Sequence, residues 1–331
     1  MSVVKVLVDG QVFDNFEQMR IYSDLYSLAD TFSFAGVIAP ASTGSATVVN
    51  VKCGQTCRIS IDGKIVMRGY ITDTRFSTGE HGTSFDFSGV DICGYLSRFT
   101  IADIVEWDFC TAQMIITELK KQIPFMSNVS IIGLENLSEM EDVMIFTGQQ
   151  VSTVLNMIAD KTNSIFYALP NGTIRFGRKA RGGSHHRIAV GRAGIKNATL
   201  TKSIQDVVNK IVYKCEDIYG DVDEQSVDVR GVPPLNITEY SRVFAESDEL
   251  LGLAQKQAND VVSKYTQLSV EYAGFTDSNG NVWEINKGVA FSDLTNSGLE
   301  NGTYVSESVE FSDTRNEGQV ATIKMSLPAI Y

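Results

Sequence analysis

The sequence predicts a β-rich α+β fold, with two similar antiparallel β-barrel domains and a small α+β domain inserted between them. Three observations support this prediction: short alternating strands at both ends of the chain, helical periodicity in the middle, and one hairpin pattern that occurs twice. The chain of 331 residues is long enough for two or three domains. We expect them at 1–99, 100–185 and 186–331, the last with one long helix and an acidic loop.

The first domain has the pattern of an antiparallel β structure. Asp-Gly pairs at 9–10 and 62–63 separate short alternating segments, and this dipeptide supplies the positive φ angles that a two-residue hairpin needs. Residues 70–76 and 83–89 then alternate on either side of a glycine-containing tip at 79–82. Strands this short and evenly spaced predict a small barrel or a sandwich.

The middle domain changes to a helical period. Apolar residues recur at helical spacing in 111–123, after an N-capping threonine, and again in about 148–161. Thr147 and Gln150 have the spacing of a capping box at the start of the second helix. A hairpin around 170–172 completes the small α+β domain.

The last domain returns to strand alternation, most clearly at 210–216. Residues 217–236 are rich in acids and contain two successive prolines, so we expect an exposed loop. Residues 247–265 carry one apolar face at helical spacing and predict the long helix. The rest of the chain predicts hairpins, with turns at 278–281 and 316–318.

The hairpin pattern at 70–88 occurs again at 304–327. In both segments a tyrosine, an aliphatic residue, a hydroxyl residue, an acid and a second hydroxyl residue follow one another, before a glycine tip and a second alternating strand. Two β-hairpins can share such a pattern by chance, because both obey the same alternation rule. We interpret the recurrence as duplication of a β unit.

The charge balance argues against a nucleic-acid binder. With 28 basic and 40 acidic residues the formal net charge is −12, whereas nucleic-acid binders usually carry a basic stripe. The densest basic stretch is rich in glycine, and we interpret it as a solvated loop or a contact surface. Its members are Arg175, Arg178, Lys179, Arg181, Arg187 and Arg192, with His185 and His186. No apolar run is long enough for a membrane helix, and we expect the N-terminus to be a strand and not a secretion signal.

The cysteines do not have the spacing of a disulfide framework or a zinc site. Cys53 and Cys57 form the only close pair, and no second pair or histidine follows at zinc-finger distance. We expect free thiols in a protein that folds in a reducing cytosol. They are Cys53, Cys57, Cys93, Cys110 and Cys215.

The sequence lacks the motifs that would support catalysis or a cofactor. His81, His185 and His186 lie at a hairpin tip and in the glycine-rich stretch, and no nucleophile elbow, Walker loop or dinucleotide fingerprint is present. The segment from Asp277 begins like a calcium loop, but Val282 stands where that loop requires glycine, so a hairpin turn is favoured. We expect no catalytic, cofactor-binding or metal-binding residues, and no cofactor.

Three groups of carboxylates are candidates for chemistry or cation binding. They are Glu106 with Asp108; Glu139 with Glu141 and Asp142; and Asp221 with Asp223 and Glu224. The first two lack the carboxylate framework of a glycosidase, and the third is typical of a solvated acidic loop.

The motifs taken in order resemble those of a known family. Residues 6–13 and 27–34 resemble the first barrel of Mu-type phage baseplate hub proteins, which lie at the centre of contractile tails. The likeness continues at 87–91, and it returns at 282–288 and 302–305. Order and spacing agree over essentially the whole chain, and this co-linearity carries the resemblance.

The resemblance implies a homotrimeric structural hub whose barrels are tail-tube-like. Six barrels would form a ring that joins the sixfold tail tube to the threefold central spike. The implied partners are the tail tube protein, the central spike protein and other baseplate proteins, and phage DNA would pass through the channel without specific binding. An acidic chain fits such a channel because like charges repel. The chain ends at Tyr331 without an extended charged tail, which leaves its attachment to the spike open.

The implied location is the tail baseplate of the virion, after synthesis in the host bacterial cytoplasm and without a membrane anchor. Three alternatives remain. The first is the hub of a contractile bacteriocin or injection apparatus, and the second is a tail-tip enzyme that degrades cell wall. The third is a carbohydrate-binding β module with Trp107 or Trp283 as a platform, although Trp283 has the setting of a core residue.

Overall fold

The computed structural model of the chain describes residues 2–14, 16–38, 51–79, 82–191, 193–216, 222–242, 247–295 and 297–331. The protein is mostly β, as the sequence predicts. Its contacts divide it into two compact units. Unit 1 comprises Met1–Gly177, Tyr272–Ile285 and Ser308–Thr322, and unit 2 comprises Arg178–Glu271, Asn286–Glu307 and Ile323–Tyr331. The domain boundaries expected at 99 and 185 stay predictions.

The N-terminal part of unit 1 is built from short and long antiparallel strands. They are β1 (Val4–Val8), β2 (Gln11–Phe13), β3 (Gln18–Asp24), β4 (Thr31–Ile38), β5 (Thr56–Ile61), β6 (Lys64–Gly79) and β7 (Gly82–Asp91). The predicted turns at 9–10 and 62–63 are confirmed, because Asp9, Gly10, Asp62 and Gly63 have φ angles of 49°, 84°, 51° and 82°. Residues 80 and 81, at the predicted glycine-containing tip, lie outside the described residues.

The next part of unit 1 contains the predicted helices. Its elements are α1 (Ile92–Leu96), β8 (Val105–Cys110), α2 (Ala112–Gln122), β9 (Ile131–Ile132), β10 (Met140–Ile145), α3 (Val151–Lys161), β11 (Ile165–Ala168) and β12 (Ile174–Gly177), with 3₁₀ turns at Pro124–Asn128 and Leu134–Asn136. The N-cap is Thr111, whose Oγ1 accepts from the Met114 amide. The apolar faces of α2 and α3 are buried in one core with the inward side of β8 and β10.

The predicted capping box at α3 is wrong. The helix begins at Val151, and Gln150 is its N-cap without a side-chain hydrogen bond. Thr147 instead donates to the Ala102 carbonyl at 3.0 Å, in a turn where Gly148 has a φ angle of 82°. Because of this turn Thr147 lies outside the helix, and its hydroxyl supplies a hydrogen bond to the carbonyl of a neighbouring segment.

Most of unit 2 is formed by the C-terminal half of the chain. Its first elements are β13 (His186–Val190), β14 (Ile195–Lys202), β15 (Lys210–Glu216), β16 (Val222–Asp228), β17 (Thr238–Arg242) and α4 (Ser247–Tyr265). The long helix has the predicted bounds, and its apolar residues Ala254, Ala258 and Val261 pack on Ile211 and Val227 of β15 and β16.

The prediction of a loop over residues 217–236 is wrong in part. Residues 222–228 form β16, which pairs antiparallel with β15 from Lys210↔Asp228 to Glu216↔Val222. Asp223, Glu224 and Asp228 on this strand are all exposed, so acid content here indicated exposure without indicating loop structure. Residues 217–221 lie outside the described residues.

Among the described residues, four further strands complete the chain. They are β18 (Thr266–Ala273), β19 (Gly288–Asp293), β20 (Gly302–Thr314) and β21 (Gly318–Ser326). Three of them, β18, β20 and β21, contain residues of both units. The turn predicted at 316–318 joins β20 to β21, and Gly318 has a φ angle of 67°. The turn predicted at 278–281 is also confirmed: the Asp277 carboxylate accepts from the Asn279 and Asn281 amides at 2.9 Å.

The sheet of unit 1 has the strand order β20-β3-β4-β7-β6-β5-β1-β2. β20 joins it through Ser308–Thr314, which pair antiparallel with Gln18–Asp24 of β3. Residues of one parity point inward and form an aromatic core, in which the Phe34 and Phe87 rings lie 5.4 Å apart. Residues of the other parity are polar and point away from this core.

Two sets of strands have the same spatial order. Numbered along the chain, the strands of each set lie in the order second, third, sixth, fifth, fourth, first. The first set is β1, β3, β4, β5, β6 and β7, and the second set is β13, β14, β18, β19, β20 and β21. The sets differ in one pairing direction, because β1 is antiparallel to β5 whereas β13 is parallel to β19.

Candidate assembly surfaces

The sequence has too few histidines to predict a catalytic site, and the two that the structure describes differ in exposure. His185 is exposed, His186 is buried on β13, and their rings meet edge to face with centroids 4.7 Å apart. His81 lies outside the described residues. Among the residues that the structure describes, no three His, Cys, Asp or Glu side chains form a group that could hold a metal ion.

All five cysteines are free thiols in the structure. Cys53 is exposed, whereas Cys57 is buried on the inward side of β5, and burial raises the pKa of its thiol to about 12. A thiol with that pKa stays protonated at neutral pH, so Cys57 is a poor metal ligand. Burial likewise raises the pKa of the Cys93 thiol well above its usual value.

Two of the three carboxylate groups singled out in the sequence lie on neighbouring strands, because Glu141 and Asp142 are on β10, which pairs with the β8 strand of Glu106 and Asp108. Glu106 and Asp108 are exposed on β8, and Asp223 and Glu224 lie on β16, where Glu224 pairs with Lys214 at 2.7 Å. Asp221 of the third group lies outside the described residues. The first group belongs to an outward face of β8 and β10 that also carries large apolar side chains.

We call this face the acidic face and define it as Ile104, Glu106, Phe109, Met144 and Phe146, with Asp108 and Asp142 beside it. β8 pairs with β10 so that Glu106 lies opposite Met144 and Phe109 opposite Glu141. Their neighbours Cys110, Met140, Val143 and Ile145 point inward and are buried. Trp107, a candidate carbohydrate platform, also packs against this core. The exposed fractions of the outward side chains are 63% for Ile104, 64% for Phe109, 38% for Met144 and 55% for Phe146.

A second surface crosses β2, β1, β5 and β6. Val12 lies opposite Leu7, Leu7 opposite Arg58, and Arg58 opposite Arg68, so these four side chains form one cross-strand row. We call it the basic row. Both arginines are exposed, Val12 is 56% exposed and Leu7 is half-buried.

A polar groove of about 660 Å³ lies on the outward side of β20, β3, β4 and β7 in unit 1. Hydroxyl groups of Ser33, Ser88, Ser312 and Thr314 line much of it, together with a few charges. Arg20 donates through Nε and one terminal nitrogen to the two carboxylate oxygens of Glu310, both at 2.9 Å. This bidentate pair neutralises the Glu310 carboxylate. The Asp86 and Glu317 carboxylates also line the groove.

Two buried carboxyl groups that the sequence did not reveal lie at the ends of strands of this sheet, since Asp91 ends β7 and Asp30 precedes β4. Asp30 and Asp91 are 6% and 2% exposed. Asp91 caps α1 by accepting from the Gly94 amide at 2.8 Å, and Asp30 accepts from the Asp24 amide at 2.9 Å. Burial raises the pKa of Asp91 to about 7 and raises that of Asp30 well above its usual range, where the Asp91 charge contributes too.

A buried ion pair in unit 2 was also missed, because Lys179 was assigned to the solvated basic stretch. Its Nζ donates to Glu307 Oε1 at 2.8 Å and to Ser326 Oγ at 2.6 Å, and Ser263 Oγ accepts the third hydrogen bond. The side chain of Lys179 is only 6% exposed. The stretch is therefore not one loop: Arg175 lies on β12, Lys179 is internal, and Arg187 lies on β13.

None of the described helices is long and apolar enough to cross a membrane. The surfaces described above are polar or mixed faces of sheets, and the candidate residues do not meet in one catalytic cleft.

Solved structures with this fold include tail proteins and a component of a type VI secretion system. A tail protein from Neisseria meningitidis MC58 superposes with a TM-score of 0.80 at 19% identity, covering 98% of this chain and 96% of its own. The 43 kDa tail protein of prophage MuSo2 from Shewanella oneidensis gives 0.81 at 17% identity, with 99% of both chains covered. A type VI secretion component from E. coli, described as structurally similar to T4 tail proteins gp27 and gp5, gives 0.63 at 11%, covering 98% and 76%.

Sequence comparison identifies the first domain more closely. Residues 3–91 match the family model of the N-terminal domain of Mu phage baseplate assembly protein GpP-like proteins. Among curated protein sequences none gives a significant match. Residues 3–91 thus match the Mu phage baseplate model, the chain has the fold of these tail proteins, and the resemblance inferred from the sequence is confirmed.

Proposed function

We propose that this protein is the structural hub of a contractile-tail baseplate, a homotrimeric ring that joins the sixfold tail tube to the threefold central spike. It would act in the virion after synthesis in the host cytoplasm, with the tube protein, the spike protein and other baseplate proteins as partners. The match of residues 3–91 to a baseplate family supports the baseplate location. The hub role is supported by a second observation, which concerns the match between threefold and sixfold symmetry.

That observation is the repeated strand order. A threefold ring can offer six similar surfaces to a sixfold tube only if each chain carries two copies of the contacting unit. The first set, β1 and β3–β7, and the second set, β13, β14 and β18–β21, have the same spatial order. This supports the proposal that the chain contains two related tube-like barrels, with β8–β12 and α2–α3 as the inserted domain.

The polar groove supports the part of the proposal that concerns DNA. Its lining is rich in hydroxyl groups, and its acidic residues exceed its single arginine, which is already paired with Glu310. A surface of this kind offers phosphate groups no cationic site to bind. We assign this face to the channel through which DNA passes.

The decisive experiment is native mass spectrometry of the purified chain, followed by electron-microscopy averaging of the particle. We expect a mass of three chains and a ring with six similar lobes. A monomer or dimer at micromolar concentration, or a trimer without sixfold pseudosymmetry, would contradict the hub proposal.

Two related proposals complete this assignment. The protein is proposed to be non-enzymatic, since the described histidines and exposed carboxylates lie on separate elements, and cell-wall zymograms should stay at background. The hub of a bacteriocin or injection apparatus shares the fold, as the likeness to a type VI component indicates. The genes beside this one would separate these two settings.

A further inference from the structure

The acidic face has the composition of an interface centre and not of a solvated surface. Phe109, Phe146 and Met144 belong to the residue types enriched at protein interfaces, and clusters of large exposed apolar side chains on a soluble protein mark binding sites. Cys110, Met140, Val143 and Ile145 on the opposite side of the same strands already supply the core contact. The outward apolar groups are therefore not part of this core contact.

The charged side chains in the stretches of chain that form this face are acidic. Residues 99–119 and 122–160 contain no lysine or arginine, so Glu106 and Asp108 have no basic neighbour along their own strand. Lys161, which donates to the Glu141 carbonyl at 2.8 Å, is the cation that the structure describes beside β10. A partner for this face must combine apolar groups with positive charge.

The basic row has the complementary character. Arg58 and Arg68 are directly opposite on neighbouring antiparallel strands, where side chains stand about 5 Å apart and like charges repel. Among the described residues, neither guanidinium has a hydrogen-bond or ion-pair partner. Leu7 and Val12 continue the same row on the Arg58 side, so apolar groups stand next to Arg58, while the stem of Arg68 lies beside Gly172.

We infer that the acidic face of one protomer docks on the basic row of a second copy of this chain. The inference rests on the proposed homotrimeric hub and names its contact. A closed ring of identical chains requires two different, mutually complementary surfaces on each chain, because each protomer meets one neighbour with one surface and the other neighbour with the other. The acidic face and the basic row are such a pair: Phe109 and Phe146 meet Leu7 and Val12, and Glu106 and Asp108 meet the arginines.

A charge-swap experiment tests this contact. The variant Glu106→Arg/Asp108→Arg and the variant Arg58→Glu/Arg68→Glu should each raise the trimer dissociation constant at least about tenfold, because like charges then face each other across the interface. The four-site combination restores opposite charges and should recover most of the association. Analytical ultracentrifugation at several concentrations measures all three, and thermal melts followed by circular dichroism check that each variant is folded.

A matched control keeps the result specific. Lys121→Glu/Arg315→Glu makes the same charge change as the arginine variant at sites that are 69% and 84% exposed and lie on neither surface. It should leave association unchanged and should not rescue Glu106→Arg/Asp108→Arg. If the charge variants associate like wild type, or if the four-site combination does not recover, the inference is overturned while the hub proposal stands. A wild-type chain that stays monomeric would overturn both.

Discussion

The paired carboxyl groups of Asp30 and Asp91 make the free energy of unfolding depend on pH. In the folded protein the pKa of Asp91 is about 7, whereas an aspartate in an unfolded chain has a pKa of about 3.9. The unfolded state therefore loses its proton first as pH rises. Stability from this group is fully present below pH 4, falls between about pH 4 and 7, and amounts to at most about 4 kcal/mol.

Substituting Asp91→Asn should remove the part of this dependence that comes from Asp91 and leave the part that comes from Asp30, because asparagine still caps α1 but does not ionise. Urea unfolding from pH 4 to 8 should show the difference between wild type and variant change by up to about 4 kcal/mol. Asp86→Asn, on the exposed side of the same strand, serves as the control. Parallel stability curves for wild type and Asp91→Asn would show that Asp91 is already ionised at low pH.

Lys179→Met should destabilise the protein by about 3–5 kcal/mol, because the substitution leaves the Glu307 carboxylate largely buried without its cation. The pair variant Lys179→Met/Glu307→Gln should be more stable than the single variant. Denaturant midpoints measure both. Equal midpoints for the two variants would mean that water already solvates Glu307.

These buried groups could not be predicted from the sequence. Asp30, Asp91 and Lys179 are ordinary polar residues in segments that look solvated, and nothing local distinguishes them. Their burial depends on partners far along the chain, since Lys179 meets Ser326 across 147 positions. Thr147 shows the opposite kind of error. Its spacing from Gln150 predicted a helix cap, but its hydroxyl donates to the Ala102 carbonyl instead.

At the scale of the elements, two glycines on β6 and β7 leave the space in which the backbone of the sheet and the Phe32 ring pack closely. A Cβ on Gly89 would lie 2.1 Å from the Tyr70 carbonyl oxygen and 2.4 Å from the Phe32 ring, and Gly69 is similarly crowded by the Val90 carbonyl. The Phe32 ring thus packs over the backbone at Gly69 and Gly89, where any larger side chain would displace it. The ring and the two glycines form one packing unit.

We expect Gly89→Ala to lower the free energy of unfolding by about 1–3 kcal/mol or more, because the strand backbone on one side cannot move away. Gly177→Ala is the matched control, since its Cβ would meet only Arg175 Nε at 3.9 Å. Thermal melting of both variants gives the comparison. Equal losses at the two positions would argue against the crowding at Phe32.

Elements were predictable where a single local rule decides the structure. The Asp-Gly turns at 9–10 and 62–63 and the helix at 247–265 follow from φ requirements and from apolar periodicity, so their positions are confirmed. β16 was missed because its side chains are mostly exposed and acidic, and its pairing with β15 alone makes it a strand.

For the whole molecule, the proposed contact between acidic face and basic row predicts a salt-dependent assembly. Raising sodium chloride from about 0.05 M to 0.5 M shortens the screening length severalfold and should shift wild-type trimers toward monomers. The four-site charge-swap variant should respond to salt in the same direction. Sedimentation velocity at fixed protein concentration measures the shift, and a salt-independent trimer would show that charge does not hold the ring.

The overall architecture was only partly visible in the sequence. The recurrence between 70–88 and 304–327 corresponds to β6–β7 and β20–β21, the fifth and sixth strands of the two sets. The other repeated strands share no pattern, because β15–β17 and α4 separate the second strand from the third in one set only. Strand order is a property of pairing partners, which a single sequence does not display.

The pairing of β3 with β20 also determines when the protein can finish folding during synthesis. Gln18 and Thr314 are register partners, so the edge of β3 that pairs with β20 has no mate until Thr314 has left the ribosome. At about 5–20 residues per second this interval lasts roughly 15–60 s. For that time an early nascent segment presents a bare strand edge to the crowded cytoplasm, and holding chaperones that cover such edges should raise the yield of assembled protein.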